Sequence, residues 1–372
     1  MDTTNKRKVL FLIESLSGGS ASKALSTLVQ YIDKTKFDVT VCAIMGGGKY
    51  ESVIKENVDY KVIVTGSVDS TKYKLVYKQM PLSWVYKFFV PQGYDVEIAC
   101  MAGFATKLLS HSSNRKAKKY AWVHTDLHQN HWTKEVYKSL GEEEKAYNHY
   151  DKILGRSELV CKSFKTEFPN LKIPIEVIYN PIDSLSVRLK SLNVGEDNEK
   201  SEKKRLVSVG RLEAPQQYTR LLKVVNRLVK EGYSLELWIF GEGTQRSVLE
   251  RYIKENDLKD SVKLFGTHPN PYKYMAQSDL YVCATYSSYA VEALILGLPV
   301  LTTESEDMSE LLKGGYCGMM TKDTEESLYL GIKKLLDDSD LLQQYRQKGE
   351  ARGWDFDIEA LMVPIEKLLL EE

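Results

Sequence analysis

The sequence has little of what marks secreted, membrane-spanning or nucleic-acid-binding proteins. Its 372 residues include five widely spaced cysteines with no Cys-x-x-Cys pair, so neither a disulfide framework nor a Cys/His metal site is indicated. The 51 basic and 51 acidic residues balance, which gives no sign of a nucleic-acid partner. No apolar run reaches the roughly 18 residues of a transmembrane helix, and the start has no signal-peptide cleavage pattern. We therefore expect a cytoplasmic protein with reduced thiols.

Short apolar runs separated by amphipathic segments make up most of the chain. The runs "KVLFLI" (8–13), "FDVTVCAI" (37–44) and "DVEIACM" (95–101) are typical of buried strands, and "ASKALSTLVQYI" after the first is typical of a helix. A second series starts at "LVSVGRL" and continues through "LELWIFG", "VKLFG", "LYVCA" and "PVLTT". This alternation predicts an α/β fold built from parallel βαβ units.

One polar stretch, 192–205, divides the two series and has the composition of a solvated loop or linker. We therefore predict two Rossmann-like domains, over residues 1–185 and 186–353. A C-terminal helix is expected over 354–372, and packing back on the N-terminal domain is one arrangement open to it. Ligands of such sheets bind beyond the carboxyl ends of the strands, so candidate residues are sought there.

Two kinds of motif have simple structural explanations. "GGGK" (46–49) lacks the upstream glycine and the Ser/Thr of a phosphate-binding loop, so we predict a turn. The triplets Asp338-Ser339-Asp340 and Asp355-Phe356-Asp357 are of a kind that can hold a divalent ion in transferases. Both lie at predicted helix boundaries, where aspartate caps free backbone N–H groups. We favour capping, and predict no metal and no cofactor.

The segment "YKLVYKQMPLSWVYKFFVPQ" (73–92) mixes lysine with tryptophan, tyrosine and phenylalanine. Such a composition suits a helix lying in a membrane interface. A core helix followed by a connection is the alternative that we favour. Peripheral membrane contact through this segment, at the inner face of a membrane, is kept as a hypothesis.

Several side chains at predicted strand ends are suited to a substrate. His124 follows "KYAWV" and can hydrogen-bond a sugar hydroxyl or exchange a proton. Arg211 follows "VSVG" and can bind a diphosphate through two N–H groups, with an interdomain ion pair as the alternative. "GEGTQR" (241–246) lies between a strand and a helix, which suits either anion binding or a simple turn. His128 and His131 are predicted on a helix surface.

These segments together resemble the retaining, nucleotide-sugar-dependent glycosyltransferases of family 4, which have the GT-B fold. The resemblance covers nearly the whole chain and rests on "ESLSGGSASKAL", "WVHTD", "IYNPID", "VSVGRL", "FGEG" and "EALILGLPVLTT", in this order. It implies a GT-B architecture, in which two Rossmann-like βαβ domains face each other across a cleft. The C-terminal domain would bind the sugar donor and the N-terminal domain the acceptor.

The resemblance also implies roles for the matching residues. His124 would lie beside the transferred sugar and Arg211 would bind the diphosphate, so these two are the catalytic candidates. No metal would be obligatory at the diphosphate. Asn180, in the turn between the domains, would be structural.

The donor-binding candidates come from the same comparison with the family. Gly18 and Gly19 would approach the donor phosphates, Gly243 would line the donor cleft, and Glu292 would hold the nucleotide ribose. The full predicted set of donor-binding residues is Gly18, Gly19, Arg211, Gln216, Gly243 and Glu292.

The chain departs from the family pattern at four positions. Gln216 stands where a phosphate-binding lysine is usual, and Gln217 where a glycine usually follows it. Ser22 replaces the glutamate of the first glycine loop, and Ala284 stands eight residues before Glu292, where the family has a sugar-contacting glutamate. Losing a preorganised charge at a departing diphosphate can cost about 10²–10³ in rate.

Three hypotheses follow. The first is a retaining glycosyltransferase that moves a sugar from a UDP-sugar to a glycan or lipid-linked acceptor in cell-surface polysaccharide synthesis, with Ser287 or Ser288 in place of the missing carboxylate. The second is a catalytically impaired or non-catalytic GT-B protein, such as a degenerate paralogue or a partner subunit. The third is another GT-B activity, such as sugar-nucleotide epimerisation.

Overall fold

The computed structural model describes residues 6–65, 80–128, 130–192, 202–285 and 287–371. Over these ranges the chain forms two compact units. The N-terminal unit comprises Met1–Ile182 and Ile358–Glu372, and the C-terminal unit comprises Asp183–Asp357. Each unit is built around its own parallel sheet, which agrees with the predicted α/β fold.

The strands of the N-terminal unit are β1 (Arg7–Ile13), β2 (Phe37–Met45), β3 (Asp59–Val64), β4 (Val96–Ala99), β5 (Lys118–Val123), β6 (Lys152–Gly155) and β7 (Ile175–Val177). Their order in the sheet is β3-β2-β1-β4-β5-β6-β7. The chain therefore reverses its direction of progress between β1 and β4. The loops that follow these two strands diverge at the same edge, which is the usual ligand position in an open α/β sheet.

The first helices of the chain cover this sheet and are α1 (Gly19–Tyr31), α2 (Glu51–Asn57), α3 (Leu82–Phe89), α4 (Phe104–Leu109), α5 (Leu140–Tyr147) and α6 (Glu158–Glu167). The central strands β1 and β2 are largely apolar and buried because helices cover both faces of a parallel sheet. In β1, for example, every residue from Val9 to Ile13 is fully buried.

The strands of the C-terminal unit are β8 (Lys204–Val209), β9 (Leu235–Phe240), β10 (Val262–Gly266), β11 (Leu280–Cys283), β12 (Val300–Thr303) and β13 (Met319–Thr321). The sheet order is β10-β9-β8-β11-β12-β13. The reversal here lies between β8 and β11, so the loops after these two strands form the corresponding ligand position. The polar stretch predicted to end at 205 ends earlier, because Lys204 and Arg205 already pair with β9.

The helices of this unit are α7 (Ser184–Ser191), α8 (Tyr218–Lys230), α9 (Arg246–Glu255), α10 (Tyr272–Met275), α11 (Tyr289–Ile295), α12 (Glu306–Leu311), α13 (Glu325–Asp337) and α14 (Ser339–Trp354). The amphipathic α8 illustrates why the sequence pattern predicts them well. Leu221, Val225 and Leu228 recur at helical spacing and are buried against the sheet.

The last helix of the chain, α15 (Ile358–Leu370), belongs to the N-terminal unit. Its residues Ile358, Ile365 and Leu369 enter the same core as β1 and α1. Glu366 accepts hydrogen bonds from the backbone N–H of Asp33 at 3.0 Å and from Lys36 Nζ at 3.1 Å. The helix therefore completes one face of a sheet whose strands all precede residue 178.

Helix α3 is the described part of the aromatic segment 73–92, and residues 73–79 lie outside the described residues. Val85 and Tyr86 are buried in the core, as a core helix requires. Trp84 and Phe88, however, are 61% and 68% exposed. Over the described ranges, no helix combines the length and apolar character that crossing a bilayer requires.

The aspartate triplets divide between two roles. Asp338 caps α14 by accepting a hydrogen bond from the backbone N–H of Leu341 at 2.8 Å, which confirms the capping interpretation there. For Asp355 that interpretation is wrong, because its carboxylate pairs with Lys313 and Arg352 at 3.0 and 2.8 Å. The turn predicted at 46–49 is confirmed, since Gly47 and Gly48 have φ angles of 90° and 110°.

The start of α8 contains a local strain. Gln217 has φ 56° and ψ 32°, a left-handed conformation that is unfavourable for a residue with a Cβ atom. Its side chain makes no capping hydrogen bond in compensation. The glycine that the family usually has at this position would adopt the same backbone without that cost.

We predict that Gln217→Gly stabilises the protein. The gain in free energy of unfolding should be about 0.5–1 kcal/mol, because relief of the left-handed strain outweighs the backbone entropy of glycine. Urea denaturation followed by circular dichroism measures it. Gln245→Gly is the matched control, since Gln245 also precedes a helix but has φ −83°. An equal gain in both variants would contradict the explanation.

Candidate functional site

A cavity of about 380 Å³ opens at the reversal point of the C-terminal sheet. Its size lies within the range of small-molecule sites. The ends of four adjacent strands, β10, β9, β8 and β11, form its walls, and its lining residues are Ser208, Val209, Gly210, Arg211, Gln216, Tyr218, Phe240, Gly241, Glu242, Thr267, His268, Pro271, Cys283, Ala284, Thr285, Ser287, Ser288 and Tyr289. We call it the strand-end cavity.

A larger and more open depression of about 920 Å³ lies beside β13 at the outer edge of the same sheet. Glu304, Glu306, Lys322 and Lys334 give it a mixed charge. It lies away from the reversal point, where ligands of these sheets bind. We therefore take the smaller strand-end cavity as the candidate site.

The loops after β8 and β9 lie against each other through their backbones. The N–H of Leu212 donates to the carbonyl of Glu242 at 2.9 Å, and that of Gln245 donates to the carbonyl of Leu212 at 2.9 Å. A Cβ atom on Gly241 would lie 1.8 Å from the Gly210 oxygen, and one on Gly243 would lie 2.4 Å from the Leu212 oxygen. Both glycines are therefore needed for the close approach of the loops.

This contact changes the interpretation of Gly243. It is not among the described residues that line the strand-end cavity, and it packs on the backbone of Leu212 instead. Gly241 and Glu242 occupy the wall where Gly243 was expected. The motif "GEG" thus shapes the cavity, but through its first two residues.

Arg211 and Gln216 lie on the β8 side of the cavity. Arg211 is exposed and lines the wall, and its guanidinium makes no hydrogen bond or ion pair with the described residues. Hydrogen bonds from Thr244 lower the pKa of the neighbouring Glu213, and the charge of Arg211 adds to that effect. Gln216 also lines the wall, and its Oε1 atom is buried with no hydrogen-bond partner in the described part of the chain.

An aromatic cluster packs behind the cavity at the ends of β9 and β10. The rings of Phe240 and Phe265 stack with centroids 4.5 Å apart, and Tyr274 contacts both. His268 meets the Tyr274 ring edge to face at 5.0 Å, and its Nδ1 accepts a hydrogen bond from the backbone N–H of Asn270 at 3.0 Å. Of this cluster Phe240 and His268 line the cavity, and Phe240 is almost fully buried, so the cavity combines the Arg211 guanidinium with a fixed imidazole in its lining.

The β11 side of the cavity carries no carboxylate at Ala284. The Ser287 hydroxyl donates to the carbonyl of Val209 at 3.1 Å and lies 2.7 Å from the hydroxyl of Tyr281. Ser287 is therefore engaged in holding the wall, whereas the Ser288 hydroxyl makes no cap on α11. Burial raises the pKa of Cys283 to about 12, so this thiol is not a nucleophile.

Glu292 lies one turn into α11 and is buried. The nearest cavity-lining residue on its helix is Tyr289. Its negative charge adds to the burial that raises the pKa of Tyr281. Glu292 thus belongs to the layer beneath the cavity wall, and the structure does not bring it among the lining residues.

In the N-terminal unit, Gly18 and Gly19 form the loop between β1 and α1. Gly19 has φ 84°, and a Cβ atom on either glycine would meet open space. Ser22, which replaces the usual glutamate, is buried and donates to the carbonyl of Ser15 at 3.0 Å. Gly48 packs closely against the backbone after β1, since a Cβ atom on Gly48 would lie 2.5 Å from the Leu16 carbonyl carbon.

His124 lies at the carboxyl end of β5 and is 5% exposed. Neither ring nitrogen has a hydrogen-bond partner among the described residues, and Asn180 Oδ1 is likewise buried and unpartnered there. Burial first, and then the charge of Arg156, lower the pKa of His124 to about 3, against a smaller opposing effect of Asn180. The imidazole is therefore neutral near pH 7, with one donor and one acceptor that have no partner among the described residues.

The prediction for His131 is wrong. Its side chain is 6% exposed, and its two ring nitrogens lie 2.9 Å from Glu143 and 2.8 Å from Glu167. His128, by contrast, is exposed and contacts the other oxygen of Glu167 at 3.1 Å. The pair of histidines therefore ties the loop after β5 to helices α5 and α6. A lone histidine in the sequence carries no signal for such a network.

In the residues that the structure describes, no group of histidine, cysteine, aspartate and glutamate side chains is arranged to hold a metal ion. Sequence reasoning missed the aromatic cluster, although Phe240, Phe265 and His268 end or follow predicted strands. Aromatic residues at successive strand ends are the signal that would have found it.

Comparison with known proteins agrees with this architecture. Residues 192–352 match the model of the group 1 glycosyl transferases. A curated relative, the N-acetylgalactosamine-N,N'-diacetylbacillosaminyl-diphospho-undecaprenol 4-alpha-N-acetylgalactosaminyltransferase of Campylobacter jejuni, is 26% identical over 368 residues. That match covers 94% of this chain and 96% of the relative.

Solved structures show the same fold. Anabaena HepE in complex with UDP superposes with a TM-score of 0.78 at 17% identity, covering 97% of this chain and 99% of HepE. A glycosyltransferase from Rickettsia africae superposes with a TM-score of 0.75 at 14% identity, covering 98% of both chains. The two Rossmann-like sheets and these superpositions show that the chain has the GT-B fold, and its C-terminal half is similar to the group 1 glycosyl transferases.

Proposed function

We propose that this protein is a glycosyltransferase that uses a UDP-sugar as donor and transfers the sugar, with retention of configuration, to a glycan or lipid-linked acceptor in cell-surface polysaccharide synthesis. The observation that carries the proposal is the lining of the strand-end cavity, which contains both the Arg211 guanidinium and the His268 imidazole. Arg211 suits a diphosphate, and the imidazole of His268 suits a flat base. The relative from Campylobacter jejuni has a diphospho-undecaprenol in its name, and HepE was solved with UDP.

The chemistry that we propose needs no protein base. The bond between the sugar and the diphosphate breaks first, so negative charge develops on the leaving oxygen, where Arg211 stabilises it. The same diphosphate oxygen then takes the proton of the attacking acceptor hydroxyl, which bonds to the face that the leaving group vacated. His124 contacts a sugar hydroxyl as a neutral hydrogen-bonding group. A divalent cation is not part of the proposal, as the resemblance to the family implies.

The remaining donor-binding roles are proposed on the same basis. Gly19 keeps its loop open to phosphate, and Glu292 supports the ribose from beneath the wall. Gln216 is a neutral wall residue that can hydrogen-bond a phosphate oxygen but adds no charge. This neutrality is the observation that favours the second candidate, a GT-B protein that binds donor without turning it over.

The proposal also assigns a surface to the membrane, reached from the cytoplasm. Trp84, Phe88 and Phe89 are exposed on α3 beside the exposed Lys87. Aromatic rings with an adjacent cation favour the interface of an anionic bilayer. A lipid-linked acceptor would be met at such a surface.

Titration calorimetry with UDP tests the donor proposal without knowledge of the acceptor. We expect UDP to bind and GDP to bind more weakly. Arg211→Gln should weaken UDP binding by about 10- to 100-fold, because a hydrogen-bonded charge pair is lost. Gln216→Lys should tighten UDP binding by adding a second charge.

Arg251→Gln serves as control, since Arg251 is exposed in the same unit and away from the cavity. A wild-type protein that binds neither nucleotide would contradict the proposed donor. UDP binding without transfer or hydrolysis of any UDP-sugar, with turnover appearing in Gln216→Lys, would favour the non-catalytic alternative.

The low pKa of His124 predicts acid sensitivity. Between pH 6.5 and about 3 the unfolded chain binds a proton at His124 that the folded chain does not. The wild type should therefore lose about 1.4 kcal/mol of stability relative to His124→Gln for each pH unit below 6.5. Urea denaturation at pH 7, 6 and 5 measures the difference. His149→Gln replaces an exposed histidine, and the wild type should show no such loss of stability relative to this variant. An equal pH dependence relative to both variants would contradict the attribution of the effect to His124.

Membrane contact is tested by sedimentation with anionic phospholipid vesicles. The wild type should pellet with the vesicles, and the triple variant Trp84→Ser, Phe88→Ser, Phe89→Ser should remain in the supernatant because the interfacial rings are gone. Tyr316→Ser with Leu330→Ser, two exposed apolar residues of the C-terminal unit, is the control. Equal sedimentation of all three proteins would count against this surface.

A further inference from the structure

The strand-end cavity lacks two charges that the resemblance to the family leads one to expect, a phosphate-binding lysine and a sugar-contacting carboxylate. Gln216 is neutral where a lysine is usual, and Ala284 has no side-chain carboxylate. Arg211 is the only lysine or arginine among the described residues that line the cavity. A further guanidinium lies directly behind the wall at Ala284.

Arg220 lies there, four residues after Gln216 and in the first turn of α8. Its side chain is only 13% exposed. The terminal nitrogen Nη2 donates to the carbonyl oxygen of Ala284 at 3.2 Å. The other terminal nitrogen, Nη1, lies 2.6 Å from the carboxylate of Asp323. Its Nε–H is buried and finds no hydrogen-bond acceptor in the described parts of the chain.

The bond to Ala284 fixes a wall of the cavity. The same carbonyl also accepts a hydrogen bond from the Thr303 hydroxyl at 2.9 Å, and the next carbonyl, that of Thr285, accepts one from Thr302 at 3.3 Å. Ala284 and Thr285 both line the cavity. The guanidinium thus lies one hydrogen bond behind the cavity surface.

The charge of Arg220 is only partly cancelled by its partner. Asp323 is 64% exposed, so water screens the carboxylate, while the guanidinium lies in a poorly solvated position. Charges behind a low-dielectric wall act over longer distances than charges in water. Within this ion pair, the guanidinium is therefore the less screened charge at the Ala284 wall.

We propose that Arg220 is the second cation of the donor site, acting from behind the wall in place of the lysine missing at 216. It positions the Ala284 carbonyl and attracts the diphosphate without contacting it. This inference rests on the proposed nucleotide function of the cavity. A lysine at 216 would both line the wall and carry the positive charge. Here Gln216 lines the wall as a neutral residue, and Arg220 carries the charge.

The test compares UDP with uridine, which has the same base and ribose but no phosphate. Calorimetry, or competition against a fluorescent UDP analogue where uridine is weak, gives both affinities for each variant. Arg220→Gln should weaken UDP binding by about tenfold and leave uridine within about twofold, because the lost interaction acts on the phosphates. Arg227→Gln, two turns further along α8 and 47% exposed, is the matched control and should change neither.

Asp323→Asn provides an independent variant that keeps Arg220 and removes its counter-charge. It should tighten UDP binding severalfold without changing that of uridine, and raising the salt concentration should diminish the effect. Because Asp323 is largely exposed, this variant tests the proposal even where Arg220→Gln fails to fold.

The outcomes distinguish this inference from the proposed function. Equal losses for UDP and uridine in Arg220→Gln would show that Arg220 only holds the wall, and would overturn the electrostatic role. Unchanged UDP affinity in both Arg220→Gln and Asp323→Asn would overturn it as well. A wild-type protein that binds uridine and UDP equally would overturn the inference while leaving the base site, whereas no binding of either would overturn the proposed donor function itself.

Discussion

The contact between two loop backbones at Gly210 and Gly241 sets the geometry of the C-terminal unit's site. Because the carbonyl of Gly210 lies where the Cβ of any other residue at 241 would be, the ends of β8 and β9 can come together. Hydrogen bonds at Leu212 and Gln245 then hold the loops. Arg211 lies in the first loop and Phe240 ends the strand before the second, so this contact brings both residues into the lining of one cavity.

Charge is arranged differently in the two units. The C-terminal unit presents an exposed guanidinium at the cavity and keeps a second one buried behind it, so positive potential is built from solvated and desolvated groups together. The N-terminal unit presents at its strand end an imidazole that burial keeps neutral. The first arrangement suits an anionic group, and the second suits a hydroxyl, which needs a donor and an acceptor but no charge.

The fold could be predicted well from the sequence because its strands and helices follow from local patterns of apolar residues. Apolar runs such as 8–13 and 37–44 became strands within one or two residues, and the regular α8 followed from the spacing of Leu221, Val225 and Leu228. Arg211 was found because a charged residue directly after a buried strand is itself a local signal. The parallel topology then fixes which strand ends meet.

The site's finer structure could not be predicted in the same way, because it depends on contacts between residues distant in the chain. Gly243 packs on Leu212 rather than facing the cavity, and His131 is buried between Glu143 and Glu167. Ser287, a candidate for a substrate contact, holds the carbonyl of Val209, 78 residues earlier. Nothing in the local sequence states which atoms a side chain will meet across such separations.

The placement of α15 has a consequence for how the chain is made. The core of the N-terminal unit includes Leu368 and Leu369, so this unit cannot complete its core until helix α15 has left the ribosome. The C-terminal unit, Asp183–Asp357, is contiguous and has all of its residues available sooner. During synthesis the unit that begins first is therefore the one that finishes last, and its open sheet face along β1 and α1 must be kept from other partners in the interval.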